Sequence, residues 1–163
     1  MAADYFLKIG DIKGESTDSK HKDEIEIDSF SWGVTNEGSM GRGGGGGTGK
    51  AQFQDLHFTK QMDKASPKLM SAAASGEHIK EAVLVARKAG GKGDQIEYLI
   101  ITMNDVMVSS YQSSGSAGST SIPVDSFSLN FSKIKYEYKP QKADGSLEGG
   151  VLAMYDRAAM KHG

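Results

Sequence analysis

The sequence predicts a mainly β fold, an antiparallel β-barrel or β-sandwich with one short helix. Three observations carry that prediction. Apolar residues alternate with polar ones over short runs, as in residues 5–9 and 127–131, which is the period-two spacing of strands. Turn-forming residues interrupt those runs at short intervals, as in an antiparallel all-β domain. Only Ser66–Ser75 carries helix start and stop signals together.

Taken in order, residues 5–9 set Tyr5, Leu7 and Ile9 on one face against Phe6 and Lys8. Gly10 and a charged run to Asp23 follow as a loop. Over residues 24–32, Ile25 and Ile27 alternate with acids, after which Phe30 and Trp32 alternate with serines, so the apolar parity switches near Asp28. A bulge or a change of surroundings along one strand produces such a switch. Residues 34–50 include glycine at eight positions, 38, 41, 43, 44, 45, 46, 47 and 49, which leaves no helix or packed strand at the centre and predicts a loop. Phe53, Leu56 and Phe58 resume a strand pattern broken near Asp55, with Lys60 and Gln61 closing it.

In the helix, Ser66 is the N-cap candidate, Pro67 fits the first helical position and Gly76 sits where a left-handed residue ends the element. Leu69, Met70 and Ala73 give it an apolar stripe. Residues 82–88 and 95–103 form a strand pair around Gly90-Gly91-Lys92-Gly93-Asp94, a hairpin signal. Residues 106–111 add a strand after an Asn104-Asp105 turn, and residues 113–121 read as a Ser/Gly loop. Phe127, Leu129 and Phe131 share one parity and Ile134, Tyr136 and Tyr138 the other, which predicts a bulge or tight bend near Ser132-Lys133. Residues 140–150 are rich in turn formers. The tail to Gly163 holds only a weak apolar set, Val151, Leu152, Met154 and Tyr155, and no element is assigned to it.

Composition removes whole classes of function. The 163 residues carry 19 basic and 21 acidic side chains, a net charge of −2, so the positive field that nucleic-acid binding rewards is missing. With no cysteine there is no disulfide, thiolate metal site or Cys nucleophile. The start Met-Ala-Ala-Asp-Tyr-Phe-Leu-Lys lacks the pattern of a cleavable signal peptide, and no apolar run approaches the roughly 20 residues of a membrane span; a soluble, initially cytoplasmic chain of one domain, residues 1–163, is expected.

The sharpest motif, Gly44-Gly45-Gly46-Gly47-Thr48-Gly49-Lys50, matches the first seven positions of a phosphate-binding loop. It fails at Ala51, where Ser or Thr would ligate Mg²⁺, and a strand pattern follows where a helix N-terminus is needed. No Gly-x-Ser-x-Gly elbow is present, and His21, His57, His78 and His162 fall in no metal-ligand spacing. Glu24 and Glu26 alternate on one strand face, where a solvated or interface role is expected. Asn130-Phe131-Ser132 is formally a glycosylation sequon, set aside because it falls within a strand. Residues 82–86 and 98–101 are apolar on both faces, which requires cover on both sides and favours an assembling protein.

The stretches Phe6-Leu7-Lys8-Ile9-Gly10-Asp11-Ile12-Lys13-Gly14-Glu15-Ser16, Phe30-Ser31-Trp32-Gly33, Leu56-His57-Phe58-Thr59-Lys60 and Tyr138-Lys139-Pro140-Gln141-Lys142-Ala143-Asp144-Gly145 closely resemble the haemolysin-coregulated protein family, the tube-forming subunits of bacterial type VI secretion. The resemblance runs from about residue 4 to 150 and takes in the Arg87-Lys88-Ala89-Gly90-Gly91 turn. It implies a small antiparallel β-barrel of two sheets with one flanking helix, assembling into a homohexameric ring. Rings would stack into a hollow tube inside a contractile sheath, with a VgrG-like spike at the tip and small effector proteins in the pore, and contraction would expel the cytoplasmic tube out of the cell. It implies no catalysis and no cofactor. By the same resemblance the stacking loop is Gly38, Met40, Arg42, Gly43, Gly44, Gly45, Gly46, Gly47, Gly49 and Lys50, and Ser31 and Ser116 suit the pore, where short polar side chains are wanted. The alternatives are a monomeric β-sandwich binding module and a hydrolase or nucleotide-binding enzyme using the loop from Gly44 to Lys50.

Overall fold

The computed structural model describes residues 3–36, 51–90, 95–118 and 120–159, and the backbone of 161–162. The chain runs β1 (Asp4–Ile9), β2 (Ile25–Ile27), β3 (Ser29–Ser31), β4 (Val34–Asn36), β5 (Ala51–Phe53), β6 (Leu56–Gln61), α1 (Ser66–Ser75), β7 (Ile79–Ala89), β8 (Gln95–Ser114), β9 (Val124–Tyr138), β10 (Val151–Asp156) and β11 (Lys161–His162). One antiparallel sheet in the order β11-β10-β9-β8-β7-β1-β2 carries most of it, with β6 against β9 and β3 against β6.

The parity switch near Asp28 is where this sheet nearly closes into a barrel. β2 pairs with β1, β3 pairs with β6, and between them the Asp28 N–H donates to the Thr59 carbonyl at 2.8 Å. One interrupted strand thus joins the two margins of the sheet. Its interior is filled by Leu7, Ile9, Ile25, Phe58, Leu84, Ile101, Met103, Phe127, Leu129 and Phe131.

The Asn104-Asp105 pair does not reverse the chain. β8 continues through it for 20 residues, because β9 runs alongside both halves. Asp105 takes a left-handed φ of 53° and its carboxylate accepts from Ser132 Oγ at 3.1 Å. At that level buried positions change from Leu99, Ile101 and Met103 to Val106 and Val108 on β8, and from Phe127, Leu129 and Phe131 to Ile134 on β9. The bend expected near Ser132-Lys133 is therefore shared by two strands, while the register shift falls between Val108 and Ser110.

Helix α1 has the expected bounds and ends on Gly76 at φ 64°. Its start differs from the expectation: Ala65 is the N-cap, and Ser66 turns inward. Ser66 Oγ accepts from Lys60 Nζ at 2.9 Å and donates to Asp125 Oδ2. Lys60 Nζ also donates to Asp125 at 2.8 Å and Asp63 at 2.7 Å, and the Tyr111 hydroxyl donates to Asp125 Oδ1 at 2.8 Å. Burial pushes the Asp125 carboxyl up, but bonds from Lys60, Ser66 and Tyr111 outweigh it and hold the group below its ordinary value. The buried stripe is Ser66, Leu69 and Ala72, whereas Met70 faces solvent, since the inward hydroxyl fixes the rotation of the helix.

The outer face of β1 and β7 is covered in part, with Phe6, Val85 and Arg87 buried, and some of that cover comes from the chain itself. Residues 10–24 lie as a strap over this face. His21 stacks on Phe6 with ring centroids 4.5 Å apart and meets Glu24 at 3.0 Å and Glu97 at 2.8 Å. Gly14 permits the strap: a Cβ there would lie 2.5 Å from the Glu24 carbonyl oxygen. The tail, left without an element from sequence, forms β10 against the second half of β9. The strand expected over residues 82–88 is there and runs one residue further, to Ala89, so Arg87, Lys88 and Ala89 of the turn implied by the resemblance are strand, and Ala89 pairs with Gln95 as a hairpin requires.

Candidate functional site

The four strands β3, β6, β9 and the far half of β8 present an uncharged polar face opposite the core. Alternation creates it: Phe30, Phe58 and Phe127 point inward, so their neighbours point out. Pairing aligns those neighbours in three rows across the sheet. Ser31, His57, Ser128 and Ser110 form one, in which Ser128 is itself buried, Ser29, Thr59, Ser126 and Gln112 the next, and Gln61, the exposed apolar Val124 and Ser114 the third. A depression of about 350 Å³ lies over the first two rows, with the three phenylalanines among its lining residues.

Hydroxyls here bond to one another rather than to charges. Ser29 Oγ and Thr59 Oγ1 lie 2.5 Å apart, and Ser128 Oγ meets Ser110 Oγ at 2.6 Å and Ser109 Oγ at 2.7 Å. Among the described residues one carboxylate is bonded to this network: Asp55, beyond the first row, accepts from Ser109 at 2.6 Å and Asn130 at 2.8 Å. Below the second and third rows lies the Lys60–Asp125 network, whose charges are fully buried and partnered. The surface thus offers short hydroxyl, amide and imidazole groups that exchange hydrogen bonds with water at little net free energy.

Ser31 is exposed in the first row. Ser116 is exposed beyond the end of β8, on the side of the third row, so the two are not brought together. The remainder of the face was not singled out from sequence. Its signal was present in His57, Thr59 and Gln61 on β6 and Val124 and Ser126 on β9, which alternate with buried residues, whereas Ser128 is itself buried. Gly38, Met40, Arg42, Gly43, Gly44, Gly45, Gly46, Gly47, Gly49 and Lys50 lie outside the described residues. Their flanks do not: Asn36 pairs with Ala51, so β4 and β5 make an antiparallel stem. Ala51 therefore opens a strand, not the helix a phosphate loop requires. The stem is held by Phe53, which packs on Tyr155 with centroids 4.8 Å apart and on Phe131 at 6.0 Å.

Two of the other histidines, His21 and His78, have carboxylate partners. His21 is buried in the strap, and His78 is exposed and 3.1 Å from Asp105. Glu24 is bonded to His21, whereas Glu26 stands exposed on β2. Among the described residues no helix is long and apolar enough to cross a membrane.

Comparison with known proteins places this geometry. Residues 6–138 match the family model described as "Type VI secretion system effector, Hcp". The chain is 51% identical over 152 residues to protein hcp1 of Pseudomonas aeruginosa, covering 93% of each. Among solved structures it resembles a type six secretion system protein at TM-score 0.92 and 35% identity, covering 99% of this chain and 100% of that one. Hcp1 of Salmonella typhimurium superimposes at TM-score 0.78 with 38% identity and 99% coverage of both.

Proposed function

The chain belongs to the Hcp family of the type VI secretion system, and from that premise we propose that it is the tube subunit, a homohexameric ring whose bore is lined by the uncharged face. The observation that carries this reading is the set of three rows on β3, β6, β9 and β8. A conduit for folded cargo requires a lining that is short, hydrated and free of fixed charge, so that nothing is held tightly or repelled. Two features support closure into a ring. β3 and residues 107–114 of β8 are unpaired on their outer edges among the described strands, and joining two such different edges head to tail continues the face from one copy to the next.

In this reading Ser31 and its row contact small effectors and Ser116 stands at the rim. Each contact is weak, and six copies multiply it. The glycine-rich segment from Gly38 to Lys50 stacks one ring on the next, and the tube passes from the cytoplasm through sheath contraction, behind its spike, out of the cell. The work is structural, with no turnover.

Native mass spectrometry of the purified protein at low micromolar concentration tests the ring. A dominant species at six times 17.4 kDa is expected; a stable monomer would sink the reading in favour of a monomeric binding module. Ser31→Lys tests the bore. Hexamers should persist while co-eluting small cargo is lost, because six ammonium groups replace neutral hydroxyls.

A further inference from the structure

The strap over β1 and β7 is anchored at two points whose chemistry differs. At one, Asp18 accepts from Arg87 Nη1 at 2.9 Å and also from Nη2. This pair lies in a cleft of about 460 Å³ lined by Asp4, Asp18, Glu26, Asp28 and Arg87, to which the strap contributes one wall. At the other, His21 lies flat on Phe6, and its two nitrogens meet two carboxylates, Nδ1 on Glu24 Oε1 at 3.0 Å and Nε2 on Glu97 Oε1 at 2.8 Å. The His21 side chain is only 7% exposed, which leaves water little access to either nitrogen.

Counting hydrogens makes the second anchor conditional. An ionised carboxylate only accepts, and a neutral imidazole has a single N–H. A neutral ring between two ionised carboxylates would leave a nitrogen lone pair facing an oxygen at hydrogen-bond distance, which repels. One further proton turns both contacts into charge-assisted hydrogen bonds. That proton belongs to His21, Glu24 and Glu97 as a unit, because groups this close titrate together. The other charges around the ring come from four elements. Asp18 of the strap acts on it through space, and Arg87 of β7 rests on the same Phe6 ring, its guanidinium carbon 4.7 Å from the centroid. On β1, Asp4 and the exposed Lys8 flank Phe6 on its own face, and on β2 the exposed Glu26 is the cross-strand partner of Phe6. Lys20 and Lys22, beside His21 in sequence, are exposed.

We propose that the strap is a proton-dependent latch: the proton shared by His21, Glu24 and Glu97 holds residues 10–24 against β1 and β7, and its loss lets the strap lift from Phe6 and Val85 and removes one wall of the acidic cleft. The proton-bound form is the closed one, so the latch opens as pH rises. The Asp18–Arg87 anchor has the opposite dependence. Arg87 holds the Asp18 carboxyl at about 2, so this anchor is complete above about pH 4 and is lost only in stronger acid. The strap is then held at both points in mild acid and at one in mild alkali. The device lies within a single chain and does not depend on the ring.

Hydrogen exchange of the purified full-length protein, followed by mass spectrometry from about pH 5.5 to about pH 8.5 and corrected for the intrinsic pH dependence of amide exchange, tests the latch, since this range brackets the ordinary loss of an imidazole proton. Protection of residues 10–24 should fall about tenfold across it, the loss of one charge-assisted hydrogen bond, while β1 and β7 beneath keep theirs. Glu97→Gln separates the latch from packing. A glutamine amide donates to the ring nitrogen that lacks a hydrogen, so the neutral ring satisfies both neighbours and strap protection should stay level through the same range. A wild-type strap with no fall, or a fall of the same size in Glu97→Gln, would overturn the proposal. Loss of protection by strap, β1 and β7 together would also overturn it, because the proton would then hold the barrel and not the strap.

Discussion

Two surfaces of the same barrel are built to opposite rules. On β3, β6, β9 and β8 three cross-strand rows carry hydroxyl, amide and imidazole groups and one valine, Val124, but no carboxylate or ammonium. At the β1–β2 seam, four carboxylates surround one guanidinium. A neutral hydrated face discriminates poorly, since exchanging one hydroxyl partner for another costs little. A charged cleft discriminates by sign and position, and its contacts weaken with salt. On the proposed tube reading, the contrast suits the first surface to passing varied cargo and the second to contacts that depend on charge. Added salt should therefore weaken contacts made at the charged seam before it weakens those made at the neutral face.

The largest effect should come from the charge hidden beneath the neutral face. Asp125→Ala strips Lys60 of a fully buried partner, and breaking such a pair costs about 3–5 kcal/mol. Ser126→Ala, one residue away on the outer face, should stay within about 0.5 kcal/mol. Urea denaturation of both variants measures the difference. Equal losses would mean that the face itself, and not its support, holds the sheet together.

The strap comes next, because it forms one wall of the acidic cleft. His21→Ala removes the stacked contact on Phe6 and both carboxylate contacts, a loss of about 2 kcal/mol. Residues 10–24 should then exchange amide hydrogens faster than β1 and β7 beneath them, as hydrogen exchange would report. If strap and strands open together, the cleft wall is part of the barrel's cooperative unit.

Acid should reach the Asp18–Arg87 pair of the charged surface. The Arg87 guanidinium holds the Asp18 carboxyl at about 2, although burial acts in the opposite direction. In the unfolded chain the same group binds its proton near pH 4. The contribution is therefore complete above about pH 4 and is lost as pH falls toward 2. Asp18→Asn should flatten that part of the stability profile, while Ser29→Ala leaves its shape unchanged. Thermal melts from pH 6 to pH 2 give the comparison.

The legibility of the two surfaces differed as their physics does. Core strands were readable because Phe127, Leu129 and Phe131 must alternate to fill a barrel, and even the switch at Asp28 showed in the parity of Ile27 and Phe30. Ser31 was legible through its place beside Phe30 and Trp32. The rest of its row comes from β6, β9 and β8, and only pairing brings His57, Ser128 and Ser110 alongside it. The acidic cleft was less legible still. Asp18 and Arg87 are 69 residues apart, and nothing local distinguishes that Asp from its neighbours in a charged loop. Asn104-Asp105 misled for a related reason: the pair tolerates a left-handed residue, but the partner strand decides whether that residue turns the chain or bends it.

The smallest effect sharpens the comparison by lying outside both surfaces. Gly76 ends α1 at φ 64° and ψ 33°, and a Cβ there would meet nothing within 4 Å. Gly76→Ala therefore pays only for the left-handed backbone, about 1 kcal/mol after the gain from a stiffer unfolded chain. Gly76→Asn should cost less, since a short amide tolerates that region. The opposite end of α1 is fixed by Ser66 on Asp125 and Lys60, directly beneath the neutral rows. If α1 is held from that end, fraying at Gly76 leaves the rows in place, and the Ala variant should lose stability without losing hexamers or cargo. Loss of cargo at this small destabilisation would show that the helix sets the face as a whole and that the buried network passes strain to it rather than isolating it.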